Sequence, residues 1–189
     1  MDTQRLSAVL LIAAGVGIML TTFTNAPGLY ETQDVAERLR IIEAHRPRWL
    51  ASQGIVSLAA LLLAGGFGLL AWKLRSNGGT WTPVVGAMAI AAGSLSALYF
   101  VYLQTVDPRG GYSGQYPLPE ELAYWLWLGG QLLFGIAFLQ VGLPSWLGYL
   151  TGGAALAYAI VFFLTGAGFV TPFLLALISM AIGIVLLRA

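Results

Sequence analysis

Long apolar stretches separated by short polar segments dominate the chain. Residues 49–72, between Arg48 and Lys73, contain no charged side chain over 24 positions. At 1.5 Å per residue this stretch would form a helix of about 36 Å, longer than the roughly 30 Å hydrocarbon core of a bilayer. Because such a helix is apolar on every side, a water-soluble domain could not shield it. The stretch therefore predicts a transmembrane helix.

Five further apolar stretches follow the same pattern. The sequence thus predicts an all-α polytopic membrane protein, a bundle of six transmembrane helices in one membrane domain covering residues 1–189. The predicted spans are residues 5–23, 48–72, 82–106, 120–141, 145–165 and 171–188. Five prolines stand immediately before long apolar runs, where the start of a helix tolerates the missing N–H. They are Pro47, Pro83, Pro119, Pro144 and Pro172.

The connection after span 1 contains a different kind of pattern. In residues 31–45, Val35, Leu39 and Ile42 recur at i, i+4 and i+7, and Asp34 is spaced to pair with Arg38. This predicts an amphipathic interfacial helix between spans 1 and 2, lying near the lipid headgroups or docked on the bundle.

Small residues recur at four-residue spacing within two spans. Ala89, Gly93 and Ala97 form one such stripe, and Gly148 and Gly152 form a shorter pair. Small side chains allow helix backbones to approach closely in a membrane. These positions are therefore predicted to be helix contacts.

Composition narrows the functional classes. Only 9% of the 189 residues are charged and 58% are hydrophobic, whereas soluble domains carry about 25% charged residues. The net charge of +1 and the lack of a basic run argue against a nucleic-acid partner. The absence of cysteine excludes disulfides and thiolate metal sites, and a single histidine cannot form a multi-histidine zinc or haem site. We expect neither a metal nor a cofactor.

Polar residues gather at the end of the predicted bundle that faces away from the chain termini. With six spans, the two long connections after spans 1 and 3 meet at that end, and loops on a rigid scaffold commonly carry function. The candidate ligand-binding residues are Glu43, His45, Arg48, Gln53, Tyr99, Gln104, Asp107, Arg109, Glu121 and the deeper Gln131. An ordinary headgroup boundary, with arginines reaching the interface and acids pairing with them, is the alternative interpretation.

The middle of each predicted span lacks ionisable side chains. Proton pumps and ion-coupled carriers commonly need such groups, so these functions are disfavoured. The polar residues nearest mid-depth are Gln131, Ser94, Ser96 and Ser57. Hydrogen bonds between helices are the simplest role for them, and contact with a ligand is the alternative.

Three functional hypotheses remain open. The leading one is a non-enzymatic membrane protein that binds a small or lipidic molecule, or a partner membrane protein, through the polar end. A second is a membrane enzyme acting on an isoprenoid or lipid, with Glu43, His45 and Asp107 as acid–base groups. A third is a structural subunit of a membrane complex, which would pack its partner on the stripe containing Gly93.

One motif resembles a known family. The run LPSWLGYL at residues 143–150 is similar to the LPxWLGxL motif of a bacterial family of six-span membrane proteins, domain of unknown function 4386. Asp34 to Ala36 before span 2, and Gly66 and Phe67 within it, resemble the same family. The resemblance implies a six-helix bundle in the bacterial plasma membrane and assigns no catalytic residue.

The distribution of positive charge favours one orientation. Lys73 and Arg75 lie in a short connection on the side that holds both termini, where the positive-inside rule has most force. We therefore expect a multi-pass protein of the inner membrane, surrounded by the lipid bilayer, with its termini in the cytoplasm.

Overall fold

The computed structural model describes residues 2–29, 31–32, 34–75, 81–105, 107–109, 117–140, 143–165 and 171–188. These residues form seven helices and no strand. The helices are α1 (Thr3–Thr24), α2 (Val35–Ala44), α3 (Arg46–Arg75), α4 (Thr82–Thr105), α5 (Pro117–Gln140), α6 (Ser145–Thr165) and α7 (Thr171–Arg188). The all-α prediction is confirmed for these residues.

Three of the helices are long and apolar enough to cross a membrane. The qualifying stretches are Thr3–Thr21 in α1, Arg46–Arg75 in α3 and Thr82–Val101 in α4. Within the described residues, α5, α6 and α7 contain shorter apolar stretches, Trp125–Gln140, Ser145–Val161 and Leu174–Arg188. The helices therefore support a membrane protein in general terms.

Local sequence explains several helix ends. Asp34 caps α2, its carboxylate accepting a hydrogen bond from the Ala36 N–H at 3.0 Å. Pro47 and Pro83 each occupy the second residue of a helix, where no intrahelical N–H bond is lost. Helix α5 begins at Pro117, three residues before the predicted span, because proline is also favoured as the first residue of a helix.

The long helices pack in the spatial order α7, α1, α3, α4, α5, α6, and α6 touches α7 only slightly. Neighbours in this order are antiparallel. For example, the start of α1 lies beside the end of α3, where the Ser7 hydroxyl donates to the Gly66 carbonyl at 2.8 Å. Further along, Gly17 of α1 lies against Ala59, nearer the start of α3. Helix α3 is therefore enclosed between α1 and α4.

The predicted stripe on α4 forms the contact with α3. A Cβ atom at Gly93 would lie only 2.5 Å from the Ala64 Cβ and 2.6 Å from the Ala60 carbonyl oxygen. Ala89 and Ala97 are also buried. The stripe is thus occupied within the chain and is not exposed to a partner protein.

Helices α5 and α6 approach each other through glycine as well. A Cβ at Gly135 would lie 2.6 Å from the Gly152 nitrogen and 2.8 Å from the Gly148 carbonyl oxygen. The predicted pair of Gly148 and Gly152 therefore marks a contact between two helix backbones.

Aromatic side chains fill the space between α3 and α5. The Phe67 and Phe134 ring centroids are 4.9 Å apart, and those of Phe134 and Phe138 are 5.6 Å apart. The ring centroids of Trp127 and Phe67 are 6.1 Å apart, and the Trp127 indole N–H donates to the Ser96 hydroxyl of α4 at 3.2 Å. Ser96 thus has the predicted role of a hydrogen bond between helices.

Helix α2 docks on the packed helices through a small apolar cluster, which we call the cap cluster. Its buried members are Ala26, Leu29, Ile42 and Trp49. The turn that brings Leu29 inward contains Gly28, whose φ of 81° lies in the left-handed region that favours glycine. The predicted amphipathic helix is therefore present, and it is attached to the end of the helices opposite the termini. We call this end the cap end and the other the terminal end.

The glycine contact between α5 and α6 provides a test of the packing. Gly135→Ala should lower the free energy of unfolding by about 1–3 kcal/mol, because the added methyl group would overlap the α6 backbone. Thermal denaturation of the detergent-solubilised protein measures this effect. The matched control is Gly153→Ala, since a Cβ at that position would meet no atom of another helix within 4 Å. Equal stability of the two variants would contradict the close approach.

Candidate functional site

The charged candidates at the cap end are mostly exposed. Glu43 and His45 lie at the end of α2, and both are exposed, as is Arg48 in the first turn of α3. The Arg48 guanidinium donates to the Phe23 carbonyl of α1 at 3.4 Å. These side chains therefore lie on the outer surface of the cap end.

The other candidates at this end come from the α4–α5 region. Tyr99 is half-buried and packs against the cap cluster. Asp107 is half-buried and Arg109 is exposed, both beyond the end of α4. Gln104 and Glu121 belong to α4 and α5, but their side chains lie outside the part of the chain that the structure describes.

Ionic interactions at this end include a surface pair within α2. Arg40 Nη2 lies 2.7 Å from Glu37 Oε1, and the hydrogen bond from Arg40 lowers the pKa of the Glu37 carboxyl. Among the residues that the structure describes, no three histidine, aspartate or glutamate side chains form a group that could hold a metal ion. The exposed charges thus provide a polar surface at the cap end.

Beneath this surface, polar side chains continue into the protein along one face of α3. Trp49 is 1% exposed, Ser52 1%, Gln53 4% and Ser57 7%. We call these four residues the polar column. Trp49, the adjacent pair Ser52 and Gln53, and Ser57 lie on three successive turns of α3, and from first to last they extend about 12 Å along the helix. Gln131 of α5, the deepest candidate, is also buried.

The polar atoms of the column lack hydrogen-bond partners. Within the described structure, the Trp49 Nε1, Ser52 Oγ, Gln53 Oε1 and Ser57 Oγ atoms are buried and make no hydrogen bond. Leaving a buried donor or acceptor unsatisfied costs about 1–3 kcal/mol each, so four such atoms are a substantial cost. Native proteins rarely leave several unpaired polar atoms close together.

Other buried hydroxyl groups in the described residues are satisfied. The Thr151 hydroxyl donates to the Leu147 carbonyl at 2.8 Å, and the Ser179 hydroxyl donates to the Ala176 carbonyl at 2.9 Å. Serine and threonine in helices commonly form such bonds to the preceding turn. The unpaired atoms of the column are thus a local feature of α3.

The chemistry of the column fits a neutral polar group. An indole N–H is a donor only, an amide oxygen accepts, and a serine hydroxyl does both. None of the four side chains is charged, so the column offers no counterion to an ionised group. A hydroxyl or an amide, which can both donate and accept, would match these atoms.

The sequence predicts part of this arrangement. Gln53 is among the candidate ligand residues and Ser57 among the polar residues near mid-depth, whereas Trp49 and Ser52 are not among the predicted residues. The signal that could have found them is helical spacing, because Trp49 lies four residues before Gln53 and Ser52 lies three residues after Trp49. Burial of these residues depends on how α3 packs against its neighbours.

Comparisons of the chain with protein-family models, with curated proteins and with solved structures found no match. Functional inference therefore depends on the residues of this chain.

Two buried serines of α1 and α3 provide a test of the unpaired column. Ser7→Ala should destabilise the protein by about 0.5–1.5 kcal/mol, because it removes the bond to the Gly66 carbonyl. In protein freed of bound small molecules by extensive exchange into fresh detergent, Ser52→Ala should leave the stability unchanged or raise it, because its hydroxyl then has no partner to lose. Thermal denaturation in the same detergent compares the two variants. A loss of stability for Ser52→Ala as large as that for Ser7→Ala would show that Ser52 is hydrogen-bonded.

Proposed function

We propose that the chain is a six-span protein of the bacterial inner membrane, with cytoplasmic termini, that binds a small or lipidic molecule along the polar column beneath its cap end. The observation that carries this proposal is the set of four buried, unpartnered polar atoms on successive turns of α3. A bound molecule would satisfy these atoms and remove the cost of burying them.

The chemistry of the column suggests the class of ligand. Its polar group would be uncharged and able both to donate and to accept hydrogen bonds, as an alcohol or amide does. The rest of the molecule would be apolar, because the column begins at Trp49 of the cap cluster and continues among apolar helices. A neutral hydroxylated lipid fits both requirements. Exposed Glu43, His45 and Arg48 would then form the polar surface at the same end of the protein.

The alternatives receive less support. Of the three acid–base groups of the enzyme hypothesis, Glu43 and His45 are exposed rather than enclosed with a substrate, and only Asp107 is half-buried. A structural subunit would need a contact surface other than the stripe at Gly93, which is buried against α3. Binding is therefore the function that the buried residues favour.

The six-span topology is supported by the lengths of the helices and their antiparallel order. Helices α5, α6 and α7 contain 24, 21 and 18 residues, close to the roughly 20 needed to cross the hydrocarbon core. The similarity of residues 143–150 to the family domain of unknown function 4386 favours the same topology. Lys73 and Arg75, at the end of α3, favour a cytoplasmic location for the termini.

Labelling of single cysteines tests this topology, and the natural chain is suited to it because it contains no cysteine. In intact cells, a membrane-impermeant maleimide should label Arg46→Cys and Arg109→Cys. It should label Arg75→Cys and Gln140→Cys only after lysis, because each span reverses the side of the membrane. Arg109 and Gln140 flank α5, so equal labelling of these two variants in intact cells would refute the α5 span.

Co-purification of the ligand tests the binding proposal. The protein is extracted in mild detergent, and native mass spectrometry measures retained small molecules. The natural chain should retain a neutral amphiphile. Gln53→Met should retain about tenfold less of it, because the loss of about 1.4 kcal/mol of hydrogen bonding lowers the affinity tenfold. The control is Gln140→Met, which changes an exposed glutamine at the terminal end.

Two outcomes would contradict the binding proposal. One is retention of the same species at the same level by Gln53→Met and the natural chain. The other is the absence of any bound molecule heavier than water, which would assign ordered water as the partner of the column.

A further inference from the structure

An open groove lies at the terminal end, where the start of α1 meets the end of α3. It has a volume of about 500 Å³ and is lined by Thr3, Trp72, Lys73 and Arg75. We call it the basic groove. It lies at the opposite end of α3 from the polar column, so the two features are separate in position.

Positive charge is concentrated around this groove. Lys73 and Arg75 lie in the last turn of α3, and exposed Arg5 and Arg188 lie at the nearby ends of α1 and α7. These ends are joined by a hydrogen bond from the Gln4 amide to the Leu186 carbonyl at 2.9 Å. Seven of the eight acidic residues belong to segments at the cap end (Glu31, Asp34, Glu37, Glu43, Asp107, Glu120 and Glu121), which leaves Asp2 near the groove.

The groove also has an aromatic wall. The Trp72 side chain is 69% exposed, and the Arg75 guanidinium lies over its ring, 5.8 Å from the centroid. An exposed tryptophan beside basic residues at the end of an apolar helix is typical of the headgroup level of a membrane. Leu61 and Leu58, both exposed, lie 11 and 14 residues before Trp72 and so share its face of α3. An apolar surface therefore continues from the groove toward the middle of the helix.

We propose that the basic groove binds the headgroup of an anionic phospholipid of the surrounding leaflet, with its phosphate near Lys73 and Arg75. One acyl chain would lie along the exposed leucines of α3. The positive charge of the groove complements the phosphate of a lipid headgroup that has no positively charged amine. The indole ring of Trp72 provides an apolar wall for the glycerol part of the lipid. This site depends on the membrane location proposed above but not on a ligand in the polar column.

Lipid competition in native mass spectrometry tests the proposal. The full-length protein in detergent is mixed with equal amounts of phosphatidylglycerol and phosphatidylcholine of matched acyl chains, and the retained lipids are counted. The natural chain should retain phosphatidylglycerol in excess. In the variant Lys73→Gln/Arg75→Gln, the ratio of retained phosphatidylglycerol to phosphatidylcholine should fall about 25-fold. Each basic residue near an anionic lipid raises the affinity about fivefold, and the variant removes two.

The matched control is Arg40→Gln/Arg46→Gln, which removes the same charge from exposed residues at the cap end and should keep the preference. A second measurement needs no variant: raising the salt concentration should reduce retention of phosphatidylglycerol and leave phosphatidylcholine unchanged. An unaltered preference in Lys73→Gln/Arg75→Gln would overturn the proposal. Displacement of the lipid by millimolar glycerol phosphate would also overturn it, because the groove would then be a site for soluble phosphate.

Discussion

Contact between helix backbones at glycine is the interaction on which the packing depends. In the lipid environment that we propose, apolar side chains gain little free energy when they move from lipid into a contact between helices. The helices therefore associate through close van der Waals contact. Gly93 lets α4 reach α3, and Gly135 lets α5 reach α6. These approaches enclose α3 and α5 around the aromatic contact between Phe67 and Phe134. A polar residue on the enclosed side of α3 consequently loses its contact with solvent.

The central position of α3 links the two sites that we propose. Its first half carries the uncharged polar column, which begins at Trp49 of the cap cluster and where hydrogen bonds would select the proposed ligand. Its last turn carries Lys73 and Arg75, where charge would select the proposed lipid. Hydrogen bonds in a buried site discriminate between neutral groups. Exposed positive charges attract any accessible anion, and this attraction weakens as the salt concentration rises. One helix thus combines a buried selective surface with an exposed electrostatic one.

Most of the fold could be predicted from the sequence because its signals are local. Apolar runs and the prolines before them located the long helices, and the i, i+4, i+7 pattern located α2, which extends from Val35 to Ala44. The small residues around Gly93 and Gly148 were recognised as helix contacts. Their partners were not predictable, since a small residue shows that a neighbour approaches closely but not which helix that neighbour is. The packing of α7 mainly on α1 is an example.

The candidate site was predicted less completely, and the reason is burial. The sequence by itself determined which residues are polar, their helical spacing and the end of the chain's helices to which they belong. Only the tertiary structure decided that Glu43 and His45 are exposed while Trp49 and Ser52 are enclosed without hydrogen-bond partners. Exposure depends on the helices that pack against each face of α3. These are distant in the sequence, so no pattern within α3 specifies which of its polar residues lose their contact with water.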